Sequence, residues 1–198
     1  MTVDRAIDSD SIGDPASFRT LAELEDGLAS LPAAPSDSGR VVLVVRRVES
    51  GRREFPERVS MTPESGIPGD AWGRQSEPAP EAQLAVMQRD VAQLIANGQP
   101  LALFGDNLVL DLDLSARNLP VGSRLWVGDA LLEVTPMPHN GCHKFKARFG
   151  PDALRFVCMA ELRHRNLRGI YLRVVEPGEV GVGDAVEVVF RSGSTELS

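Results

Sequence analysis

The amino-acid sequence predicts a mainly β protein with some α structure, a closed barrel with a few peripheral helices. Short apolar segments, either β-branched or strictly alternating, recur from residue 40 to residue 190. Glycine-rich turns separate these segments, and only a few stretches have helical periodicity. The chain contains no alternating strand–helix pattern and no internal repeat. Many short strands with tight turns and few helices are typical of a closed barrel.

An N-terminal extension with one short helix is predicted for residues 1–38. The stretch "SFRTLAELEDGLASLP" carries leucines at helical spacing, and "PAAPSDSG" then breaks the helix. These leucines are Leu21, Leu24, Leu28 and Leu31. The barrel domain is predicted to span residues 39–191, and residues 192–198 are assigned to a C-terminal tail.

The barrel domain begins where the composition changes to β-branched residues. Its predicted strands are, in chain order, "RVVLVVRRVES", "REFPERVSM", "QLAVM", "NLVLDLDL", "RLWVG", "ALLEVTP", "GIYLRVV" and "AVEVVF". Pro56 restricts the second of these to a sheet edge, because proline has no N–H to donate. The fifth and sixth form a hairpin through Gly128 and Asp129. Two helices are also predicted: "QRDVAQLIANG", closed by Gly98, and "PDALRFVCMAELRHRN", with Pro151 in its first turn.

Residues 62–82 form a long segment without periodicity, and they contain four prolines and three glycines. A loop of this length in a compact domain is either a lid or binding loop, or a disordered segment. The sequence leaves both alternatives open.

The overall composition argues against several classes of protein. The net charge is −7, which disfavours general binding to nucleic acid or to a membrane surface. No apolar run approaches the ~20 residues of a membrane-spanning helix. The first residues lack the basic and apolar regions of a signal peptide, and two cysteines do not make a disulfide framework. We therefore expect a cytoplasmic protein.

The basic residues are concentrated in one segment. Residues 139–173 carry eight arginines and lysines against two acidic residues, and they include all three histidines and both lysines of the chain. A positive segment within an acidic protein suits a small anionic ligand better than a nucleic acid. The alternative is a solvated helix face, which stays open for Arg155, Arg163 and Arg165.

The stretch "PHNGCHKFKARFG", residues 138–150, contains the strongest candidate for a reactive group. Cys142 lies between Gly141 and a run of basic residues in a predicted loop, and neighbouring cations favour the thiolate form of a cysteine. Cys158 lies among apolar residues of a predicted helix, and we expect it to be a buried apolar filler.

The chemistry of this His/Cys cluster has three interpretations. A structural zinc site needs four ligands, and the chain has no Cys-x-x-Cys pair to supply two of them. The available ligands are His139, Cys142, His143 and at most Cys158 or His164. A Cys-His nucleophile needs an imidazole, from His139 or His143, within reach of the sulfur. The third interpretation is a thiolate that carries sulfur or binds a soft metal in a pocket for an anionic cofactor.

The order of the motifs resembles a known family. Five of them follow one another in the order "GIPGD", "FGDNLVLDLDLS", "LPVGSRLWVGDALLEVT", "PHNGCHKF" and "GIYLRVVEPGEVGVGDAVEV". In order and spacing they resemble a MOSC domain, the domain named after the C-terminal region of molybdenum cofactor sulfurase. The resemblance covers about residues 40–190, and it is greatest to the small standalone bacterial MOSC proteins that carry His-x-Gly-Cys followed by Lys-Phe.

The resemblance implies a β-barrel with a single reactive cysteine, here Cys142, which carries sulfur to the molybdenum cofactor or ligates the molybdenum. The family's Gly-Asp and Asn-Leu elements match Gly69-Asp70 and Asp106-Asn107-Leu108, with Asp106 where glutamate is common. The phosphate of the pterin would explain the local surplus of basic residues. No pyridoxal-phosphate domain like that of fused relatives is recognisable, so the sequence does not support that cofactor.

We therefore predict a site in which Cys142 and His139 are catalytic and Cys142 is also the metal ligand. The predicted cofactor-binding residues are Asn107, Asn140, Lys144, Arg148 and Arg168. For Asn107, pairing with a loop backbone is an alternative.

The predicted function is binding of the molybdenum cofactor, or a related anionic sulfur or metal ligand, for sulfur transfer or a cofactor-dependent reduction. The sequence leaves open whether the protein is an enzyme. The alternatives are a non-catalytic cofactor carrier or chaperone module and a small thiol-dependent detoxifying enzyme. The expected partners are the small anionic cofactor and an electron-transfer or cofactor-acceptor protein.

Overall fold

The computed structural model describes residues 12–193 and the backbone of Ile7–Asp8, so residues 194–198 of the predicted C-terminal tail lie outside the described part. The strands are β1 Ile7–Asp8, β2 Ser38–Val44, β3 Arg46–Arg47, β4 Arg52–Glu54, β5 Arg58–Met61, β6 Leu84–Gln88, β7 Leu108–Leu110, β8 Arg124–Val127, β9 Ala130–Val134, β10 Ile170–Glu176, β11 Gly178–Gly181 and β12 Ala185–Phe190. The α-helices are α1 Leu21–Ser30, α2 Arg89–Ala96, α3 His143–Phe149 and α4 Pro151–Val157. Short 3₁₀ turns lie at Pro15–Ser17, Glu49–Gly51, Trp72–Arg74, Pro80–Ala82, Leu101–Leu103 and Ala160–Arg165.

Seven of the described strands form a closed barrel. Their order around the barrel is β10, β6, β7, β2, β12, β8 and β9, and β9 pairs with β10 to close it. Neighbouring strands are antiparallel except β6 and β7, which are parallel. The predicted closed barrel with peripheral helices is therefore confirmed.

Alternate residues of the strands fill the interior of the barrel. Val86 of β6, Leu108 of β7 and Leu172 of β10 are fully buried members of this core. The opposite faces of β6 and β7 carry Met87 and Val109, which are buried against the helices. Because both faces of these two strands are covered, their sequences are almost continuously apolar, as is usual for parallel strands.

The helices pack on the outer face of β6 and β7 and form a second core. α1 begins with a capping box, in which the Thr20 hydroxyl accepts from the N–H of Glu23 and the Glu23 carboxylate accepts from the N–H of Thr20. Leu24 and Leu28 of α1 are buried in this core. The helix predicted in the N-terminal extension is confirmed.

A cluster of three aromatic rings fixes α3 against this second core. The ring of Phe104 stacks on that of Phe149 with centroids 4.1 Å apart, and Phe145 lies 5.0 Å from Phe149. All three rings are buried. Since Phe145 and Phe149 are four residues apart, they lie on one face of α3. The cluster thereby fixes the start of α3, and Cys142 immediately precedes it.

Most predicted strands are confirmed, with corrections to their lengths. β8 and β9 form the hairpin that turns at Gly128, and Pro56 falls between β4 and β5. The strand predicted from "NLVLDLDL" is too long: β7 ends at Leu110, and the N–H of Asp113 already bonds to the carbonyl of Pro35 outside the barrel sheet. β11 was not predicted, because its sequence is rich in glycine.

The helix predictions need two corrections. The segment from Pro151 is helical only to Val157, and a separate 3₁₀ turn, Ala160–Arg165, follows it. α3 occupies His143–Phe149, a stretch to which no helix was assigned from the sequence. Gly150, with φ of +90°, separates α3 from α4 in a conformation that favours glycine. Among the described residues, no helix has both the length and the apolar composition needed to cross a bilayer.

Candidate functional site

A cavity of about 680 Å³ lies between the start of α3, the turn that joins β3 to β4, and the start of β10. Its volume falls in the range of about 300–1,000 Å³ that is typical of small-molecule sites. Six basic side chains line it against two acidic ones. The basic residues are Arg47, Arg53, Arg74, Lys144, Arg148 and Arg168, and the acidic residues are Glu49 and Asp106. The cavity therefore carries an excess of positive charge.

The structure brings six of the seven predicted site residues to this cavity. They are His139, Asn140, Cys142, Lys144, Arg148 and Arg168. Cys142 is exposed and reduced, and Lys144 is exposed in the first turn of α3. The roles assigned to these residues stay predictions, but their convergence on one cation-lined cavity is an observation that the sequence alone could not provide.

A buried ion pair forms the floor of the cavity. Nη1 of Arg168 donates to both carboxylate oxygens of Asp106 at 2.9 Å. Asp106 is 1% exposed, and burial by itself would raise its pKa. Arg168, with a smaller contribution from Arg47, outweighs the burial and holds the pKa of Asp106 below its usual value. Asp106 is therefore ionised, and Arg168 is its counter-ion.

His139 lies beside this pair as a neutral imidazole. Burial, reinforced by the positive charge of Arg168, lowers its pKa to about 3, and Asp106 offsets this only in part. Nε2 of His139 lies 3.5 Å from Oδ1 of Asp106, and its ring packs 4.4 Å from that of Tyr171. An ionised carboxylate can only accept, so we assign the ring proton to Nε2. Nδ1 is then a buried acceptor with no hydrogen-bond partner in the described part of the chain.

The low pKa of His139 bears on the predicted Cys-His nucleophile. A general base works best when its pKa is near the operating pH, and a value of about 3 is far below neutral. His143 is exposed on α3 and does not line the cavity. Neither the low pKa of His139 nor the position of His143 therefore supports a His-activated nucleophile.

The Gly-Asp and Asn-Leu elements of the sequence resemblance contact each other in the structure. Nδ2 of Asn107 donates to Oδ1 of Asp70 at 3.1 Å. The same carboxylate accepts from the backbone N–H of Arg47 at 2.7 Å and pairs with the Arg47 guanidinium at 2.6 Å. Burial would raise the pKa of Asp70, but the hydrogen bonds and charge of Arg47 hold it below the usual value. Asp70 thus holds Arg47 in the wall of the cavity.

The cofactor-binding prediction for Asn107 requires a correction. Its side chain has no exposed surface and does not line the cavity. Oδ1 accepts from the N–H of Ala85 at 3.1 Å, and Nδ2 donates to the carbonyl of Val45 at 3.3 Å as well as to Asp70. These hydrogen bonds of the Asn107 amide join the end of β2 and the start of β6 to the Asp70 loop. The alternative given for Asn107, pairing with the backbone, is therefore the one that the structure shows.

Arg148 and Arg168 combine a position in the cavity with structural contacts. Both are buried; Nη1 of Arg148 lies 3.4 Å from the carbonyl of Phe104, and the guanidinium of Arg168 lies 5.2 Å from the centre of the Phe145 ring. This cation–π contact and the Asp106 pair fix Arg168 in place. Substituting either arginine will therefore affect stability as well as binding.

The long loop of residues 62–82 has a defined conformation and forms part of the wall. Thr62 and Gly66 pair through backbone hydrogen bonds, and the N–H of Trp72 donates to Asp70. Trp72 is 5% exposed, and its indole N–H donates to the carbonyl of Ala79 at 2.8 Å. Trp72 therefore packs inside the loop. Ala71 and Arg74 of the loop line the cavity.

The expectation for Cys158 is wrong. It was predicted to be buried within a helix, but α4 ends at Val157 and Cys158 is exposed. Cys158 lines a second cavity of about 340 Å³, which shares His139, Asn140 and Arg168 with the first. The helix ends earlier than its apolar pattern indicates, which turns the side chain to the surface.

The sequence did not single out several residues that the structure places in the main cavity. They are Arg47, Arg53, Arg74 and Tyr171. Arg47 and Arg53 belong to the pairs "RR" on either side of the β3–β4 turn, and this repeated basic dipeptide beside a glycine was the available signal. Tyr171 gave none beyond being the single tyrosine of the chain. Burial and the neighbouring Asp106 raise its pKa above the usual value.

The comparison with known families decides the assignment. The model of the MOSC domain matches residues 74–187. This protein belongs to the MOSC domain family. The matched segment begins in the 62–82 loop and includes Asp106, Cys142 and Arg168, whereas Arg47, Arg53 and Asp70 precede it. Ligands related to the molybdenum cofactor are associated with the family in general.

Solved structures with the same fold agree with the MOSC assignment. The YuaD protein from Bacillus subtilis is 18% identical with a TM-score of 0.57, and the match covers 76% of this chain and 95% of that one. YiiM from Geobacillus stearothermophilus is 17% identical with a TM-score of 0.54, over 82% and 78% of the two chains. YiiM from Escherichia coli is 22% identical with a TM-score of 0.52, over 77% and 70%. At these identities the likeness concerns the fold. A comparison with curated proteins gave no match.

The MOSC cavity of this chain offers one soft ligand and many cations. In residues 12–193, no three His, Cys, Asp or Glu side chains converge as ligands for a metal ion. What the lining provides is a thiol, a neutral imidazole, a phenol and several guanidinium groups. Guanidinium groups bind phosphate and carboxylate through paired hydrogen bonds, and a thiolate binds soft metals or sulfane sulfur.

Proposed function

We propose that this MOSC domain binds the molybdenum cofactor, or a closely related anionic sulfur-containing ligand, in the cation-lined cavity. Cys142 is the residue that carries the transferred sulfur or ligates the molybdenum. One observation carries the proposal: an exposed thiol shares a cavity with six basic side chains and only two acidic ones. One of those acidic groups, Asp106, is neutralised by Arg168, so the field acting on a ligand is positive.

The residues fit such a ligand in charge and in hydrogen-bonding capacity. Nε of Arg168 is buried and has no partner among the described residues, so it can donate to an anion. Arg47, held by Asp70, and Lys144, at the first turn of α3, add two further cations to the lining. When bound, the cofactor would supply a redox-active metal with its own sulfur ligands. The residues of this chain hold the phosphate and present the thiol of Cys142.

Sulfur transfer is the form of this function that the geometry favours. A sulfur carrier needs a thiol that a donor and an acceptor protein can both reach, and Cys142 is exposed. The 62–82 loop contributes Ala71 and Arg74 to the wall, and the hydrogen bonds of Trp72 to Asp70 and Ala79 join its parts. We accordingly propose a cofactor-acceptor protein as the partner.

The proposal is tested by purification from a host that makes molybdopterin, followed by measurement of molybdenum and pterin per mole of protein. We expect both in the wild-type protein. Cys142→Ser should retain both if Cys142 carries sulfur, and should lose molybdenum if the thiol ligates the metal, whereas the matched Cys158→Ser variant should retain both in either case. Wild-type protein that contains neither metal nor pterin, from a host whose other molybdenum enzymes are fully loaded, would disprove cofactor binding.

A further inference from the structure

Cys142 and Cys158 lie at the two ends of one helical hairpin. α3 and α4 pack against each other and are joined at Gly150. Cys142 is the residue directly before α3, and Cys158 is the residue directly after α4. Both are therefore at the open end of the hairpin, Cys142 in extended backbone and Cys158 at the C-cap of α4, and both are exposed thiols.

The chain next to Cys142 is already packed against the end of α4. A Cβ placed on Gly141 would lie 2.4 Å from Cδ1 of Leu154 and 3.2 Å from Cγ2 of Val157. It would also lie 3.8 Å from Sγ of Cys158. A side chain at position 141 would therefore have to displace the end of the Leu154 side chain. Cys158 is in contact range of the residue that precedes Cys142.

The two thiols open into neighbouring cavities with a common wall. Cys142 lines the main cavity, Cys158 lines the second one, and His139 and Asn140 belong to both. A disulfide requires Cα atoms about 4.4–6.8 Å apart. A bond between the two sulfurs would need rotation of the side chains and a local shift of the backbone at the hairpin end, where each cysteine lies outside its helix.

We propose that Cys158 is the resolving thiol for sulfur carried on Cys142, so that the protein is a dithiol-dependent sulfane-sulfur reductase. This activity rests on the proposed function, in which Cys142 accepts sulfur. In the first step the Cys142 thiolate takes the outer sulfur of a polysulfide or alkyl persulfide, and the donor leaves as the shorter polysulfide or thiol. The product is a persulfide on Cys142.

In the second step the Cys158 thiolate attacks the inner sulfur of that persulfide. A bond forms between the two cysteine sulfurs, the bond to the outer sulfur breaks, and its electron pair leaves with hydrosulfide. The sulfane sulfur is reduced and the two cysteines are oxidised to a disulfide. An external dithiol then reduces this disulfide and regenerates both thiols. The basic lining of the main cavity favours the departure of hydrosulfide as an anion.

The test uses reduced full-length protein, sodium polysulfide as the sulfur donor, and no added thiol. Released hydrosulfide is measured, and the protein is alkylated and mapped by peptide mass spectrometry. Wild type should release one hydrosulfide per chain and end with a Cys142–Cys158 disulfide. Cys158→Ser should release hydrosulfide at least about tenfold more slowly and accumulate a persulfide on Cys142. Cys142→Ser should neither release hydrosulfide nor acquire sulfur at Cys158 at the wild-type rate.

The outcomes separate the two proposals. If wild type and Cys158→Ser accumulate the same Cys142 persulfide, Cys142 is a sulfur carrier and the resolving role of Cys158 is wrong. If Cys142 acquires no sulfur in either protein, both the carrier function and the reductase activity are wrong. A disulfide that joins two chains, seen on a non-reducing gel, also overturns the proposal, because the hairpin geometry requires an intramolecular bond.

Discussion

Replacing His139 by glutamine should flatten the dependence of stability on pH between about pH 6.5 and pH 4.5. His139 has an ordinary pKa of 6.5 and a pKa of about 3 in the folded protein. Between these values the unfolded chain binds a proton that the folded chain does not. The free energy of unfolding therefore falls as pH falls, by about 1.4 kcal/mol per pH unit. From pH 6.5 to 4.5 the loss amounts to about 2 kcal/mol, because the unfolded histidine is only half protonated at pH 6.5 and the full slope is reached below that pH.

The structure explains the sign of this effect. Burial and the positive charge of Arg168 oppose protonation of His139, and the single opposing influence of note is Asp106, 3.5 Å away. Asp106 already has Arg168 as its partner at 2.9 Å, so the imidazole gains little from becoming charged. Had Asp106 prevailed, His139 would be an imidazolium with a raised pKa. Stability would then be lost as pH rises through that pKa.

Urea unfolding at several pH values measures this slope. The matched control is His143→Gln, which removes an exposed histidine four residues away and should keep the wild-type slope. The comparison stops near pH 4.5 because Asp70 and Asp106, with lowered pKa values, add their own loss of stability at lower pH. Equal slopes in wild type and His139→Gln would refute the assignment of a buried neutral imidazole, and a slope of opposite sign would show that the pair with Asp106 is charged.

The remaining predictions concern stability and binding. Asn107→Ala removes three buried hydrogen bonds and should lower the free energy of unfolding in urea by at least about 2 kcal/mol. A loss below about 0.5 kcal/mol would contradict the role of Asn107 in joining β2 and β6 to the Asp70 loop. Arg168→Met leaves Asp106 buried without its partner and should cost about 3–5 kcal/mol, part of which the double variant with Asp106→Asn recovers. Lys144→Gln should keep wild-type stability but weaken binding of isolated pterin phosphate about tenfold by calorimetry. Lys146→Gln, on an exposed residue that does not line the cavity, should bind normally, and equal affinities for both lysine variants contradict the anion site.

The sequence by itself determined the class of fold and the region of the site. The segments "RLWV" and "ALLEV" and the turn at Gly128 fix a hairpin locally, and burial alternates along the first of them because side chains of a strand alternate between core and solvent. The concentration of basic residues around Cys142 also belongs to one continuous stretch, so composition was enough to find it. Most of the cavity lining that we predicted lies in this stretch between residues 139 and 168.

Helix ends were less accessible to sequence reasoning. α3 has only seven residues, and its signal is the pair Phe145 and Phe149, which become meaningful only once Phe104 packs against them. Short helices take their stability from tertiary contacts more than from propensity. The same applies to Cys158: its apolar neighbours indicated burial, but the helix ends before it and exposes the thiol.

The tertiary structure alone decided which polar residues face the cavity. Asp106 and Asn107 are adjacent in sequence, yet Asp106 pairs with Arg168 at the cavity floor while Asn107 bonds to Asp70 away from it. His139 became a neutral imidazole because burial beside Arg168 outweighs the attraction of Asp106. Charges, burial and partners of this kind come from segments far apart in the chain. A linear pattern records residue types and local spacing, but the energy of a buried charge depends on groups that only the folded barrel brings within a few ångströms.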